Sequence, residues 1–335
     1  MAILFVSAGS GGQRIITEAY TSFANLRTGN YFLCVNTSMS DHDRMVERFK
    51  QANIKKYDNV RTLAIGEGFG AGKDAELGLK IYMSDKDKVI TALDELHKKF
   101  SFKIAFVLGC LGGGCGSLVV PELAKDVKGT LGIRVVPMVT LPFRREGDLM
   151  LANASMGLRK LSEYGFNPLV YDNEKTLDYA RTVNEAIRMA NRSFSILISS
   201  LIDVVEFKDF AVPPIDIVDV TRIIMPQCGA FSTVFYDNAK DFKERWRKEL
   251  ERNLSLRSKI LTTGKAFVAC KARDFPQKVA EEVMNFLRSR FKVTEIIPTV
   301  LEGDFVGYTI TTMIWGFGID TISPRLRPRG RKILG

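Results

Sequence analysis

The sequence is poor in the residues on which many hydrolases and metal sites depend. It has two histidines, His42 and His97, and five cysteines, none of which form a CxxC pair. This scarcity argues against Ser-His or Cys-His catalysis and against a structural zinc site. Most of the cysteines lie in apolar runs and their number is odd, which predicts reduced thiols and a cytoplasmic location.

Long apolar runs are absent too. No stretch reaches the roughly 20 residues that a membrane-spanning helix needs, so no membrane insertion is expected. The opening MAILFVSAGSGG lacks a basic leader and predicts a buried first strand rather than a signal peptide. The net charge is 48 − 38 = +10, which permits contact with nucleic acid, a membrane surface or an acidic protein.

Hydrophobic residues make up 46% of the 335 residues and charged residues 26%, an ordinary globular mixture with room for about two domains. The first half alternates strand-like and helix-like segments, which predicts an α/β fold with a parallel sheet. The predicted strands cover residues 3–8, 31–36, 103–108, 133–141 and 168–171. The predicted helices cover residues 14–26, 84–99, 118–127 and 149–164. In such sheets, ligands bind at the carboxyl ends of the strands.

A long helical stretch, residues 174–204, follows this half. Its early part is amphipathic and its later part is apolar nearly all round, so it is expected to be buried between two halves of the molecule. A smaller α/β unit comes next, and the end of the chain is basic and predicts an unstructured tail. The predicted division is residues 1–178, a central helix 179–205, a second domain 206–318 and a tail 319–335.

The glycine-rich segment at residues 109–117, GCLGGGCGS, carries the strongest chemical signal. It follows a predicted strand and precedes a predicted helix, and five of its first eight residues are glycine. Successive glycines let backbone N–H groups turn toward one point, and the helix that follows adds its positive end. A tight turn would need one glycine, so this segment predicts a phosphate-binding loop.

Within this segment, GGGCGS resembles the GGGTGS/T signature of the tubulin/FtsZ superfamily, which cradles the phosphates of GTP. Cys115 stands where that family usually has threonine, and Leu118 where glycine is common. The motif is neither a Walker loop nor a Rossmann GxGxxG. The resemblance implies a parallel-sheet GTP-binding domain, a long central helix and a smaller second α/β domain, with GTP or GDP as cofactor and Mg²⁺ expected.

Further segments resemble the other nucleotide loops of that family in the same order along the chain. Residues 8–13 resemble the first phosphate loop, residues 36–37 the second, and residues 68–78 the loop that senses the terminal phosphate. Residues 140–147, TLPFRREG, resemble the segment whose carboxylate contacts the ribose. The implied cofactor-binding residues are Gly9, Ser10, Gly11, Gly12, Gln13, Asn36, Gly70, Ala71, Gly72, Gly112, Gly113, Gly114, Cys115, Gly116, Ser117 and Glu146. The family's arginine near Met150 has no match, and Arg144 or Arg145 is a candidate substitute.

Base recognition and hydrolysis are assigned by the same resemblance. Asn173 and Asn184 match the two base contacts, and amide groups suit the carbonyl and N–H edge of guanine. Asp216 and Asp219 match the catalytic acids that enter the site of the next subunit. A plain helix cap at Asp216, with Asp219 in the first turn, is the simpler interpretation of the same pair, and the two interpretations are compatible.

Among the superfamily's branches, residues 67–78 and the VYDN segment are most like the plasmid and phage TubZ proteins and the archaeal CetZ proteins. The resemblance implies a filament-forming GTPase that hydrolyses GTP to GDP and phosphate where subunits meet, with itself as partner. The basic tail favours plasmid or phage DNA segregation through a DNA-bound adaptor or another acidic partner. The alternatives are a CetZ-like cell-shape role, an FtsZ-like division role, and a Rossmann-type NAD or FAD oxidoreductase.

Overall fold

The computed structural model describes residues 2–207, 211–256 and 260–318, together with Ile322 and Leu326. The strands are β1 Ala2–Ala8, β2 Tyr31–Asn36, β3 Val60–Ala64, β4 Phe102–Cys110, β5 Arg134–Leu141, β6 Leu169–Asp172, β7 Ala211–Val212, β8 Cys228–Tyr236, β9 Ile260–Ala272, β10 Val293–Glu302 and β11 Tyr308–Phe317. The helices are α1 Gly9–Ser22, α2 Met39–Gln51, α3 Ala75–Ser84, α4 Lys86–Lys99, α5 Gly114–Leu131, α6 Asp148–Glu163, α7 Val183–Glu206, α8 Ile217–Val220, α9 Ala239–Arg252 and α10 Gln277–Phe291.

One eleven-stranded sheet runs through the molecule in the order β3-β2-β1-β4-β5-β6-β8-β11-β9-β10-β7. Strands β1 to β6 are all parallel to their neighbours, as the alternation of strands and helices predicts. The second half is mixed, because β11 runs antiparallel to both β8 and β9. The two halves of the sheet are joined at one register pair, Leu169 of β6 and Gly229 of β8. The division of the chain into domains at residues 178, 205 and 318 stays a prediction.

The sheet buries both of its faces, and β4 shows how its sequence achieves this. Ala105 and Val107 lie in one hydrophobic cluster, whereas Ile104 and Phe106 lie in the other. Successive side chains of a strand point to opposite faces, so a nearly continuous apolar run serves two cores at once. The first cluster packs under α5 and α9, and the second under α1 and α7.

Helix α7 is the central helix that the hydrophobic pattern predicts. It begins at Val183, where the Thr182 hydroxyl accepts a hydrogen bond from the Glu185 amide at 3.1 Å. A separate 3-10 helix, Asn173–Asp178, precedes it, so the predicted continuous helix from residue 174 is wrong in its first turns. Near its end the Asp203 carboxylate accepts from Asn25, at 2.7 Å, and pairs with Lys271. The helix therefore ties the first half of the chain to the second.

Several predicted boundaries differ from the structure, and α2, β3 and α3 were not among the predicted elements. Helix α1 begins at Gly9 rather than at residue 14, so the first glycine loop is itself the first turn of the helix. Ser84 ends α3 instead of starting a helix, and Asp85 takes the N-terminal position before α4. The Asp85 carboxylate accepts from the Gly66 amide at 2.7 Å, so it joins a loop to the helix junction.

The end of the chain is described at two positions. Ile322 and Leu326 are 4% and 1% exposed and belong to the first hydrophobic cluster. The prediction of an unstructured tail at residues 323–335 is therefore wrong at Leu326, because its apolar side chain packs into the core. The basic residues Arg325, Arg327, Arg329, Arg331 and Lys332 lie outside the described residues. Along the described chain, no helix is both long and apolar enough to cross a membrane.

Candidate functional site

A cleft of about 510 Å³ lies where β1, β2, β4 and β5 end. Its walls come from four glycine-containing loops, from α1 and α2, and from α7. Of the predicted site residues, those that line it are Gly9, Ser10, Gly11, Asn36, Gly70, Ala71, Gly72, Gly113, Gly114, Cys115, Gly116, Glu146 and Asn173. Seven predicted site residues do not line it: Gly12, Gln13, Gly112, Ser117, Asn184, Asp216 and Asp219. The structure thus brings most of the predicted loops to one place.

Helices α1 and α5 both begin at this cleft. Gly9 opens α1 with φ +71°, a backbone conformation that favours glycine. A side chain at Gly12 would stand 2.5 Å from the Leu108 carbonyl oxygen, so α1 packs directly on β4. The first turn of a helix leaves its N–H groups unpaired and carries positive potential. Two such ends at one cleft make an anion site.

The loop before α5 is held by its own serine. The Ser117 hydroxyl donates to the Gly113 carbonyl at 2.6 Å and accepts from the Gly112 amide at 2.8 Å. Ser117 is fully buried, so its role is to shape the loop rather than to contact a ligand directly. A side chain at Gly114 would stand 2.7 Å from the Gly72 carbonyl and 2.8 Å from that of Ala71. The loop at residues 70–72 is therefore packed against the first turn of α5.

A network of hydrogen bonds fixes the loop that follows β2, at residues 36–37. The Asn36 side-chain amide donates to Gln13, at 3.0 Å, and to Asp41, at 3.3 Å. Gln13 is 2% exposed and in turn donates to the Asp41 carbonyl at 3.1 Å, so it positions Asn36 from behind the cleft. The Ser10 hydroxyl donates to the Asp41 carboxylate, which joins the first loop to the start of α2. Sequence reasoning had not singled out Asp41.

The cations of the cleft are Arg14 on α1 and Arg44 on α2, and neither was predicted. Arg44 pairs with Asp41 at 3.1 Å, whereas Arg14 has no ion-pair partner among the residues the structure describes. Arg144 and Arg145, the candidates for the missing family arginine, do not line the cleft. Arg14 is exposed on α1, whereas Ile15, Ile16 and Ala19 are buried against the sheet. That amphipathic pattern is the signal that could have placed Arg14 at the edge of the cleft.

Two thiols face the cleft. Burial raises the pKa of Cys115 to about 11, and burial also raises the pKa of Cys110. Both side chains are therefore neutral thiols near pH 7, so they add no charge that would repel an anion. Cys115 replaces the family's threonine with a poor hydrogen-bond donor, but the surrounding backbone amides remain.

The side of the cleft away from the glycine loops carries amides. Asn173, directly after β6, lines it, and its buried Oδ1 atom has no hydrogen-bond partner among the described residues. Asn191 and Ile187 of α7 also line it, whereas Asn184 lies in an adjoining depression of about 470 Å³. Residues 184, 187 and 191 share one helix face, so the helical period could have pointed to Asn191. A buried amide oxygen without a partner is typical of a site that awaits a donor.

Glu146 stands at the rim, where its carboxylate accepts from the Phe143 amide at 2.7 Å and closes a 3-10 turn. The Arg144 amide donates to Glu174 at 2.8 Å, which ties this loop to the 3-10 helix that carries Asn173. This hydrogen bond joins the two loops at the outer edge of the cleft.

Asp216 and Asp219 do not reach the cleft of their own chain. Asp216 caps α8, accepting from the Val218 amide at 3.0 Å, and the Asp219 carboxylate accepts from the Asp216 amide at 3.0 Å. Arg222 pairs with Asp219 at 3.2 Å. From Asn191 to its end at Glu206, α7 extends about 22 Å, at 1.5 Å per residue. The chain reaches α8 only beyond that end. Both acids are half-buried and already positioned by this reciprocal cap.

Comparison with known proteins adds family relationships to this geometry. A family model described as "Tubulin/FtsZ family, GTPase domain" matches residues 2–181, more than half of the chain. The cell division protein FtsZ of Haemophilus influenzae is 28% identical over 218 residues, which cover 59% of this chain and 50% of that protein. The chain spans about half the length of the curated relatives it matches.

Solved structures of the same fold cover nearly all of the chain. A GTPγS-bound protofilament of CetZ2 from Haloferax volcanii aligns with a TM-score of 0.80 at 20% identity, covering 97% of both chains. The tail-truncated TubZ of Clostridium botulinum phage c-st aligns with a TM-score of 0.67 at 15% identity, covering 97% of this chain and 95% of that one. These likenesses establish the fold.

Proposed function

The chain belongs to the tubulin/FtsZ family, and we propose that it binds GTP and hydrolyses it as one subunit of a head-to-tail filament. The observation that carries this proposal is the separation of two halves of one active site. The glycine loops and two helix N-termini meet at a cleft at one end of α7, whereas Asp216 and Asp219 lie in a segment that does not line it. A second copy of the chain can supply what the first lacks.

The phosphates of GTP are assigned to the cleft between α1 and α5. Backbone N–H groups of the first turns point at it, and both helix dipoles favour negative charge there. Arg14 supplies a full positive charge without an ion-pair partner among the described residues. Gly114 and Gly72 let the loops approach closely enough to surround a phosphate chain, because side chains there would meet backbone atoms or adopt an unfavourable φ.

The guanine base is assigned to the amide side of the cleft. The unpaired Oδ1 atom of Asn173 can accept from the N–H edge of guanine, and Asn191 replaces Asn184 as the second amide. Adenine lacks this combination of a carbonyl and an N–H, so GTP is expected to bind more tightly than ATP. The Asn191→Ala variant should bind GTP about tenfold more weakly, as expected for loss of one buried hydrogen bond. Asn184→Ala serves as the control, and equal losses in both would refute the assignment.

Mg²⁺ fits this site as a companion of the phosphates rather than as a bound metal of the protein. The described residues include no group of three or more histidines, cysteines or acids that could hold a metal by itself. Mg²⁺ commonly binds through one or two carboxylates together with substrate phosphates and water. Asp41 is the carboxylate beside the phosphate loops, so it is the residue assigned to hold the ion, whose charge would offset that of the phosphates.

Hydrolysis is assigned to Asp216 and Asp219 of the neighbouring copy. Phosphoryl transfer depends mainly on positioning and on charge stabilisation, so two fixed carboxylates that orient a water molecule are a sufficient contribution. The capping box around α8 holds both carboxylates in place before docking. The specific activity is therefore expected to rise steeply with protein concentration, since a lone subunit lacks the acids at its cleft.

A complementation experiment tests the shared site. One variant carries Asp216→Ala and Asp219→Ala and keeps its nucleotide cleft. The other carries Asn173→Ala and Asn191→Ala and keeps its acids. Each should hydrolyse GTP slowly alone, and a mixture should exceed the sum of the two severalfold, because one variant's acids reach the other's bound GTP. A mixture that gives only the sum would show that the site is complete within one chain or placed elsewhere.

For the cellular role, we propose segregation or positioning of DNA, with the basic residues after Leu326 meeting a DNA-bound adaptor or another acidic partner. Because Leu326 is buried, the test is truncation after Leu326 rather than earlier. The shortened protein should bind GTP and assemble, yet lose co-sedimentation with cargo in a salt-sensitive manner. Normal cargo recruitment would remove the adaptor role from the tail. Division, as in the FtsZ relatives, or a CetZ-like role in cell shape is the alternative.

A further inference from the structure

A second cavity, of about 290 Å³, lies on the opposite face of α7 from the nucleotide cleft. Met189, Arg192 and Ile196 line it, whereas Ile187 and Asn191 face the cleft. At 3.6 residues per turn these two sets point to opposite sides of the helix. The other walls of the cavity are the 3-10 helix Asn173–Asp178, strand β8 and the end of α9.

Aromatic side chains form a large part of this cavity. Tyr171 is buried, and Tyr179 and Phe235 are each 40% exposed. Rings exposed on the walls of a concave site offer stacking surfaces for another planar group. The volume is near the lower limit of small-molecule pockets, so it suits a compact ligand rather than a protein segment.

The charges of the cavity are mainly positive. Lys175, Arg192 and Arg252 outnumber one carboxylate, Glu249, by three to one. The Arg252 guanidinium lies 4.2 Å from the centre of the Tyr179 ring, and Arg192 has no ion-pair partner within the described ranges. Guanidinium groups beside aromatic faces recognise planar anions through bidentate hydrogen bonds and stacking.

We infer that this cavity is a regulatory site for a small aromatic anion, a ring system carrying a carboxylate, sulfonate or phosphate. The ring packs against the exposed aromatic side chains of the cavity, and the acidic group faces Arg192 and Arg252. The regulatory part of the inference rests on the proposed function, because what it regulates is GTP binding at the cleft.

Two elements are shared by the cavity and the cleft, and they supply the coupling. The 3-10 helix carries Asn173 into the cleft and Thr176 into the cavity, and the Thr176 hydroxyl donates to the Asn173 carbonyl at 2.7 Å. Helix α7 presents Asn191 to one site and Arg192 to the other. A ligand that shifts either element therefore changes both base-contacting amides, and linkage requires that each ligand alter the affinity of the other by the same factor.

The test uses 1-anilinonaphthalene-8-sulfonate, a fluorescent aromatic anion, with the full chain first in the absence of nucleotide. Saturable binding is expected, and the uncharged N-phenyl-1-naphthylamine should bind about tenfold more weakly because it lacks the charge-assisted contact. Arg192→Gln and Arg252→Gln should each weaken sulfonate binding about threefold to tenfold, the range expected for a partly exposed charged contact. Lys248→Gln, an exposed position on α9 outside the cavity, removes the same charge and should have no effect.

The coupling is measured by titrating GTP at saturating sulfonate, and the reverse. A reciprocal change of about fivefold or more in both affinities supports regulation. Equal binding by the arginine variants, equal binding of the uncharged ring, or simple displacement of the probe by GTP would overturn the site. A coupling factor of one would overturn the regulatory role. Probe binding through the arginines in a chain that fails to bind GTP would refute the proposed function but keep the site.

Discussion

Glycine and arginine residues of the cleft contribute in different ways. Glycine is needed at positions 9, 12 and 114 because it has no side chain. A residue with a Cβ atom would have an unfavourable φ at position 9 and would meet backbone atoms at positions 12 and 114. Arg14 acts through a charge that no described acid neutralises. A phosphate chain would gain from both, because backbone N–H groups give direction and the guanidinium gives long-range attraction.

The Arg14→Gln variant should bind GTP about tenfold more weakly, since a hydrogen bond to a charged group is worth about 1.5–3 kcal/mol and Arg14 is partly solvated. Arg14→Lys should retain part of the affinity. Arg48→Gln is the matched control, because Arg48 is an exposed residue of α2 that lines the adjoining depression but not the cleft itself. Equilibrium binding of a fluorescent GTP analogue measures all three. Unchanged affinity in Arg14→Gln would place the phosphates elsewhere.

Residues placed in the cleft by local sequence could be predicted, whereas residues placed there by helix packing could not. The glycines could be identified because a loop at a strand end needs them wherever a helix and a phosphate must come close. Arg14 and Asn191 were missed because their place depends on how α1 and α7 pack against each other. Asn184 stays a prediction as a base contact: it lines the adjoining depression, seven residues before Asn191 on the same helix face, and helical periodicity alone cannot choose between the two.

Helix α7 does more than fill the space between the halves of the sheet. Its first half presents Asn191 to the cleft, and its last turns join Asn25 and Lys271 through Asp203. Glu206 stands in the final turn, where burial first and then repulsion by Asp203 raise its pKa to about 7. The end of the helix thus holds two neighbouring acids with one lysine.

The stability of the protein should depend on the charge of Glu206. The pKa of this carboxyl is higher in the folded chain than in the unfolded one, so its favourable contribution is present at low pH and is lost as pH rises through about 7. Glu206→Gln should leave the free energy of unfolding little changed near pH 5 and raise it by about 1–2 kcal/mol at pH 8, discounted for partial exposure. Thermal unfolding at both pH values, with the exposed Glu281→Gln as control, measures this. Equal shifts at the two pH values would contradict it.

Five strands and four helices of the first half were predictable because apolar runs and turn residues mark them clearly, whereas α2, β3 and α3 were missed. The boundaries were also less predictable than the existence of the elements. The start of α1 lay inside a glycine loop, where intrinsic helix propensity is low, and packing on β4 overrides that preference. Ser84 and Asp85 have the composition of a helix start, and the structure uses Asp85 in this way, directly after α3 ends at Ser84.

The molecule as a whole exposes apolar side chains beside its cleft. Phe69, in the loop between β3 and α3, is 89% exposed, and Met39, at the start of α2, is 52% exposed. The backbone holds the two together, since the Met39 amide donates to the Gly68 carbonyl at 2.9 Å. If the next copy brings Asp216 and Asp219 to the cleft, it covers this rim as well. Burial of these side chains would then contribute to the contact between subunits.

Assembly should therefore depend on Phe69. Fully burying a phenylalanine stabilises an association by about 1.5–3 kcal/mol, so Phe69→Ser should raise the critical concentration for GTP-dependent assembly about tenfold or more. Binding of GTP by the monomer should be unaffected, because the side chain does not line the cleft. Met83→Ser, which changes an equally apolar residue that is 50% exposed near the end of α3, is the control and should assemble normally. Light scattering against protein concentration gives the critical concentration, and electron microscopy identifies the polymer. A Phe69→Ser variant that assembles like the parent would mean that the neighbouring copy leaves this rim uncovered, and the acids would then have to approach the cleft from another side.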